Sequence, residues 1–148
     1  MKSLQIVNDA FASMEKADFE RLEDLLSEDF RLIGPTPEPL MKKDFVGFCR
    51  ALVRAIPDWT FDMTDVKESG DTVTGLMHIT GTHTATLDLS DFGMSVYPAS
   101  GVKLKPVEEP MKATVTGEKL SRIEITPVEG GGIEGLLKQI SVGAEAHA

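Results

Sequence analysis

The segment RAIPDWTFDMTDVKE, residues 54–68, divides the sequence into a helical half and a strand half. Before this segment, apolar residues recur every three or four positions, which predicts amphipathic helices over residues 3–16, 18–26 and 42–56. Pro57 ends the third helix, because proline cannot continue a helical hydrogen-bond ladder. After it, apolar and polar residues alternate, as they do in half-buried strands.

Two later stretches carry the strand pattern most clearly. TVTGLMHITGTHTATLDL, residues 72–89, predicts one long strand, and MKATVTGEKLSRIEIT, residues 111–126, predicts two strands around a Thr-Gly-Glu-Lys turn. Glycine and proline interrupt the chain between them, where VKLKPV could add a short edge strand. GGGIEGLLKQI, residues 130–140, predicts a last short helix. Helices gathered first and strands gathered later predict an α+β domain with helices on one sheet face.

Composition narrows the classes of partner. The 148 residues suit one domain, residues 1–148, and the net charge of −9 argues against nucleic acid, whose affinity for proteins depends on Lys and Arg. No apolar run approaches the roughly 18 residues of a membrane span, and the N-terminus does not resemble a signal peptide. We therefore expect no membrane partner and a cytoplasmic location.

Motifs for cofactors and metals are missing from the sequence. Cys49 is the single cysteine and has no Cys or His at ligand spacing beside it, so we expect no disulfide and no metal site. No nucleophile elbow, His-Glu-x-x-His pair or phosphate-binding glycine loop is present. The sequence therefore predicts no bound cofactor.

His83 lies in GTHTATLDL, residues 81–89, near the end of the predicted long strand. Strict alternation places it on the apolar side with Met77 and Ile79, and places His78 on the threonine-rich side. A bulge at Gly81 would reverse that order. Two interpretations stay open: His83 lines a pocket, or it is an ordinary buried histidine.

Carboxylates could supply an acid or a base beside that histidine. Glu108 and Glu109 are adjacent, so on a strand they point to opposite faces and cannot form a dyad, although one of them can face inward. Glu124 is a second candidate on the last predicted strand. The candidate catalytic residues are therefore His83, Glu109 and Glu124.

The order of four segments resembles the SnoaL-like polyketide cyclase family. They are ADFERLEDLLSEDF (17–30), AIPDWTFD (55–62), GTHT (81–84) and GLLKQI (135–140). The resemblance implies the nuclear-transport-factor-2-like fold, a conical α+β barrel in which a bent, mostly antiparallel sheet wraps a long helix. It also implies an apolar cavity that binds a small apolar ligand, and a homodimer formed through the outer sheet face, where His78 and Arg122 are expected.

In active cyclases of that family, an aspartate assisted by a histidine moves a proton during an intramolecular aldol closure. The resemblance places those two positions at Ile123 and Ile125, so the usual acid-base pair is absent from this sequence. A slip of one residue would place Arg122 and Glu124 there instead, on the predicted outer face.

Two functions remain open at this point. The first is an enzyme acting on a small apolar carbonyl or polyketide-like compound, with His83 as base or donor and Glu109 or Glu124 as acid. The second is a non-catalytic binding or association module, in which His83 anchors a ligand oxygen. The residues expected to line the cavity are apolar and mostly aromatic: Phe11, Met14, Phe30, Trp59, Met77, Phe92 and Tyr97.

Overall fold

The computed structural model describes residues 2–146. Four helices are present in this range: α1 (Lys2–Glu15), α2 (Phe19–Leu25), α3 (Lys42–Ala55) and α4 (Gly132–Ala146). The strands are β1 (Leu26–Ile33), β2 (Leu40–Met41), β3 (Thr64–Ser69), β4 (Thr72–His78), β5 (Leu87–Asp88), β6 (Val96–Tyr97), β7 (Glu108–Thr116) and β8 (Lys119–Ile125).

Six of the strands form one curved sheet in the order β2-β1-β8-β7-β4-β3. Its neighbours pair antiparallel except for β1 and β8, which run parallel. β5 and β6 form a separate two-stranded ribbon. Helices α1 and α3 pack against the main sheet. The predicted α+β class, with helices on a mostly antiparallel sheet, is confirmed.

The first three predicted helices agree with the observed bounds to within one residue at each end. The last helix, predicted over residues 130–140, begins at Gly132 and extends to Ala146. In α1, Val7, Phe11 and Met14 are buried, as their spacing along one helix face requires. Asp18 caps α2 by accepting a hydrogen bond from the backbone N–H of Arg21 at 3.2 Å.

The hairpin of β7 and β8 also matches its sequence pattern. Its turn residues, Gly117 and Glu118, both have positive φ, at 57° and 66°, which is the geometry of tight turns that suit strand twist. Alternate residues of β7, including Met111 and Ala113, are buried against the helices. The alternation of apolar and polar residues therefore predicted both the two strands and the face of the hairpin that is buried.

The predicted long strand over residues 72–89 is wrong beyond His78. Between His78 and β5 the chain makes only isolated pairs, Thr60 with Thr80 and Thr82 with Lys103, and β5 belongs to the separate ribbon. Gly81 has a φ of +153°, and a Cβ built there would lie 2.4 Å from the Cγ2 of Ile56. The chain thus passes too close to the end of α3 for a regular strand, and VKLKPV contributes only the Lys103 pair.

The apolar and polar residues alternate over residues 59–68, but only the second half of this segment forms a strand. β3 begins at Thr64, and the preceding residues connect to the rest of the fold through a bridge at Thr60. Asp62 and Asp65 have positive φ values of 44° and 51°, which interrupt the extended backbone.

Gly34, just after β1, provides a test of how tightly the chain packs beside β8. Its φ is +116°, and a Cβ there would lie 1.9 Å from the carbonyl oxygen of Ile125. We expect Gly34→Ala to lower the free energy of unfolding by about 2–4 kcal/mol, since backbone strain and a steric clash add together. Urea unfolding measures this loss.

Gly70→Ala is the matched control, because Gly70 has a φ of +59° and no atom within 4 Å of the new Cβ. It should cost only the positive-φ penalty of about 1 kcal/mol. Equal losses in the two variants would show that the contact with Ile125 does not constrain the fold.

Candidate functional site

A cavity of about 90 Å³ lies between the helices and the inner face of the sheet. Its wall is apolar apart from one carboxyl group, that of Glu109. The lining residues are Phe11, Met14, Leu32, Pro35, Phe45, Phe48, Cys49, Leu52, Val53, Trp59, Phe61, Met77, Ile79, Glu109, Ile123, Ile125, Gly132, Ile133 and Leu136. A charged group in such surroundings is costly unless it is hydrogen-bonded, so Glu109 is the chemically informative member of the wall.

Four of the residues expected to line the cavity do so: Phe11, Met14, Trp59 and Met77. Helix α1 supplies the first two, β4 supplies Met77, and Trp59 follows α3 after the proline that ends it. The indole N–H of Trp59 makes no hydrogen bond to any residue that the structure describes.

The other three expected lining residues lie elsewhere. Phe30 is fully buried and packs on Phe45, with ring centroids 4.7 Å apart, so it supports the cavity wall from behind. Phe92 contacts the edge of Phe48 at 5.5 Å. Tyr97 lies in the β5–β6 ribbon, where it pairs with Leu87. Aromatic character did not distinguish lining residues from the packing layer outside them.

His83 does not line the cavity. It is fully buried beneath the segment that follows it, where its backbone N–H donates to the carbonyl of Val102 at 2.9 Å. Its Nδ1 accepts from the backbone N–H of Ser100 at 3.3 Å and lies 2.8 Å from the Ser100 Oγ. Nε2 makes no hydrogen bond of regular geometry to a described residue. Burial lowers the pKa of the imidazole, and the backbone carbonyls of Tyr97 and Ala85 oppose this effect only in part. The ring is therefore neutral near pH 7.

Alternation alone placed His83 correctly on the buried side but not in the cavity. Ile79 is the last residue of that row to reach the cavity wall. Beyond Gly81 the chain leaves the sheet and is covered by the loop that contains Ser100, so His83 is enclosed by backbone. The arrangement matches the second interpretation of the sequence, a buried histidine in the packed interior.

Glu109 is held at the cavity wall by two elements that are distant in sequence. It lies on β7 opposite Met77 of β4, and only 6% of its surface is exposed. Its Oε2 accepts a hydrogen bond of 3.0 Å from the backbone N–H of Gly132, at the start of α4. Its Oε1 makes no hydrogen bond to a described residue. The neighbouring Glu108 is exposed on the opposite face, as the adjacency of the two carboxylates requires.

Burial raises the pKa of Glu109, because the charged form loses its hydration. The N–H of Gly132 opposes this effect by stabilising the carboxylate, and the positive end of the α4 dipole acts in the same direction. Desolvation is the larger of the two effects. A raised pKa brings a carboxyl closer to the range in which it can both accept and release a proton near neutral pH.

Glu124 is not part of this site. It lies on the outer face of β8, where its Oε2 is 3.7 Å from the Nε of Arg122. Its neighbours in sequence, Ile123 and Ile125, face inward and line the cavity. The three candidate catalytic residues therefore lie in three different places, and of these only Glu109 reaches the cavity.

Sequence reasoning missed the contribution of α4. Ile133 and Leu136 line the cavity, although the sequence predicted only a short helix after a flexible glycine turn. The glycines of that turn have a steric role, because Gly130 and Gly132 have φ values of 80° and 67°. A Cβ on Gly131 would lie 3.1 Å from the Oε2 of Glu109. The GGG sequence was the available signal, since it allows the close approach of backbone to a side chain.

No group of three His, Cys, Asp or Glu side chains comes together to hold a metal ion within the described part of the chain. None of the helices in residues 2–146 combines the length and apolar character that a membrane span needs.

Residues 7–104 match the model of the SnoaL-like domain family, and the chain belongs to this family. TsrD from Streptomyces laurentii is a solved structure with the same fold, at 18% identity and a TM-score of 0.69, with 94% of each chain covered. IdmH from Streptomyces antibioticus, provisionally assigned as a polyketide cyclase, aligns at 17% identity and a TM-score of 0.68, covering 92% of this chain and 99% of its own. At such identities the likeness shows the fold. No curated protein matches this sequence.

The raised pKa of Glu109 predicts a pH dependence of stability that one variant isolates. Because the folded pKa lies above the unfolded value, the folded protein holds this proton to higher pH, and the contribution of Glu109 to stability falls as pH rises through that interval. Glu109→Gln cannot ionise, and its amide oxygen can still accept from Gly132. We expect the variant to gain stability relative to the parent as pH rises above the ordinary glutamate pKa of about 4.3, as measured by urea unfolding.

Glu124→Gln, on the outer sheet face, is the control for changes that affect every carboxylate. The pH-dependent gain should be larger for Glu109→Gln than for this control. A relative stability of Glu109→Gln that does not change with pH, or that falls as pH rises, would contradict the burial effect.

Proposed function

We propose that this protein is a small-molecule enzyme that moves a proton at the carbon beside a carbonyl group, with Glu109 as the acid-base group. The observation that carries the proposal is a single buried carboxyl, with a raised pKa, in an otherwise apolar cavity. Enzymes commonly carry out acid-base catalysis with a titratable group that is buried beside the substrate and whose pKa is shifted by that burial. Membership of the SnoaL-like family supports the same class of function.

The two oxygens of Glu109 suit different tasks. Oε2, held by the N–H of Gly132 at 3.0 Å, fixes the orientation of the group. Oε1 is then available to take a proton from the α-carbon of a carbonyl compound, which leaves an enolate. If the substrate is a β,γ-unsaturated ketone, return of that proton from Glu109 to the γ-carbon of the dienolate gives the conjugated isomer. If the substrate carries a second carbonyl, attack of the enolate carbon on it forms a C–C bond and an alkoxide, and Glu109 returns the proton to the alkoxide to complete an aldol closure. Neither route needs an oxidant or a further reactant.

An enolate also needs a hydrogen-bond donor for its oxygen. Trp59 supports this part of the proposal, because it lines the same cavity and its indole N–H has no partner among the described residues. His83 has no part in the proposed reaction, since it lies outside the wall. The proposed pair is therefore Glu109 and Trp59, in place of the histidine and aspartate typical of the family.

The size of the cavity limits what can enter it. A cavity of about 150 Å³ is known to accept benzene, and 90 Å³ is well below that volume. The cavity thus suits a short alkyl group or the reacting end of a longer compound. Met14 and Met77 in the wall are flexible side chains that can enlarge it modestly.

A non-catalytic binding module is the second candidate function, and one observation favours it. Ile123 and Ile125 occupy the positions that the family resemblance assigns to the acid-base pair, and both line the cavity. If Glu109 has no catalytic role, the cavity is still an apolar binding site. Binding and proton transfer must therefore be measured separately.

Incorporation of deuterium from heavy water into small ketones, followed by NMR, tests the proposed enzyme. With 2-pentanone or cyclopentanone as the probe, Glu109→Gln should lower the exchange rate at the α-carbon by about 100- to 10,000-fold. Glu124→Gln, on the outer face, should leave the rate unchanged. Trp59 is the single tryptophan and lines the cavity, so its fluorescence reports binding in the same samples.

Binding without any enzyme-dependent exchange would support the non-catalytic candidate and contradict the proposed reaction. Exchange that survives unchanged in Glu109→Gln would remove Glu109 from the mechanism. Loss of exchange with retained fluorescence change is the expected result.

We also propose that the protein forms a homodimer through the outer face of the sheet. That face carries polar and charged side chains, among them Lys112, Arg122 and Glu124, with Arg122 and Glu124 of opposite charge. A two-fold axis would place this surface against its own copy. Light scattering should give a molar mass of twice 16.1 kDa. A monomeric mass at micromolar concentration would contradict the dimer.

A further inference from the structure

A surface cleft of about 370 Å³ adjoins the cavity beside Glu109. It lies between the chain that follows β1 and the chain that joins β8 to α4. Its lining residues are Gly34, Pro35, Thr36, Pro37, Glu109, Ile125, Thr126, Pro127, Val128, Gly131, Gly132, Ile133 and Glu134. Five of them also line the cavity: Pro35, Glu109, Ile125, Gly132 and Ile133. The cleft and the cavity therefore share one wall, and Glu109 is its polar member.

Volume shows why this shared wall matters. Pockets that bind small organic ligands usually occupy about 300–1,000 Å³, which the cavity alone does not reach. The cleft by itself falls within that range, and the cavity extends it by an apolar end. A ligand that spans both would place its middle beside Glu109, where the proposed chemistry requires a carbonyl group.

The charge of the cleft restricts the end of the ligand that lies in it. Its charged lining residues are Glu109 and Glu134, both acidic, and no Lys or Arg contributes to its wall. Thr36 and Thr126 add hydroxyl groups. The Thr36 hydroxyl donates its hydrogen to the carbonyl of Glu38 at 2.6 Å, so its oxygen remains to accept from a hydroxyl group of a ligand. An anionic group in the cleft would face these carboxylates without a cationic side chain to balance them. The positive end of α4 also lies at this wall, but Glu109 already occupies it by accepting from the N–H of Gly132.

We propose that the cleft is the second half of the binding site, and that the substrate is an elongated, uncharged carbonyl compound with a hydroxyl-bearing end. Its short apolar end occupies the cavity, its carbonyl lies at Glu109, and its polar end lies in the cleft beside Thr36 and Thr126. The position of the reacting carbonyl rests on the proposed function, whereas the preference for an uncharged end rests on the lining of the cleft alone.

Three ketones of equal chain length test this preference. They are 4-nonanone, 9-hydroxynonan-4-one and 6-oxononanoate, which share a propyl end and differ in an alkyl, hydroxyl or carboxylate terminus. Titration followed by the fluorescence of Trp59 should give a Kd for the hydroxyketone about tenfold lower than that for the carboxylate. 4-Nonanone should bind no more tightly than the hydroxyketone, since its alkyl end offers no hydrogen bond to the cleft hydroxyls.

A charge-reversal pair locates the effect in the cleft. Glu134→Lys places a cation at the cleft wall and should improve the binding of 6-oxononanoate at least severalfold, with little effect on 4-nonanone. Glu23→Lys is the matched control, because it makes the same change in net charge at an exposed residue on α2 that does not line the cleft. Both titrations are done at about 0.15 M salt, where charges more than about 8 Å apart are largely screened.

The outcomes separate this inference from the proposed function. Equal affinities for the three ketones, tighter binding of the carboxylate by the parent protein, or binding of none of them would each overturn the two-part site. Equal effects of Glu23→Lys and Glu134→Lys would overturn it as well. The expected ranking without deuterium exchange would support the two-part site and contradict only the enzyme. Exchange without the ranking would contradict only the two-part site.

Discussion

The hydrogen bond between the Glu109 carboxylate and the backbone N–H of Gly132 is the interaction on which the site depends. It joins the middle of the sheet to the first residue of α4, and it brings Ile133 and Leu136 to the cavity wall. Without it, a carboxyl group would lie in an apolar wall with no partner from the protein. One contact thus closes the cavity and makes a buried charge tolerable.

That contact only partly offsets the effect of burial, so the pKa of Glu109 stays raised, which suits proton transfer. No basic side chain lines the cavity, so burial outweighs the single N–H and the helix dipole, and the pKa is raised. A neighbouring Lys or Arg would hold the group as a carboxylate and make it a weaker base. In this chain the acid-base candidate lies on β7, whereas the family resemblance pointed to β8, whose inward positions are Ile123 and Ile125. The same cone therefore offers a carboxyl from a different strand, and the fold alone does not specify which one.

The glycines on either side of the site matter because they have no side chain, which lets neighbouring atoms approach their backbone closely. Gly34 approaches the carbonyl of Ile125, and Gly131 approaches Glu109, closely enough that a Cβ would collide in the first case and crowd in the second. Both lie beside the wall that the cavity and the cleft share. Access to Glu109 from the surface consequently depends on backbone positions more than on large side chains, which is why a pattern of apolar residues could not reveal it.

The sequence by itself determined the elements that depend on local periodicity. Apolar residues spaced three and four positions apart predicted α1, α2 and α3. Alternating apolar and polar residues predicted the β7–β8 hairpin. Because Glu108 and Glu109 are adjacent on a strand, they had to face opposite sides of the sheet. Tertiary structure alone decided which buried residues meet a cavity. Gly81 passes so close to Ile56 that a side chain there would collide, and at this point the chain leaves the sheet and His83 is enclosed. Helix α4 reaches Glu109 from residues far along the chain. Such contacts join segments distant in sequence, and no local pattern encodes the distance between them.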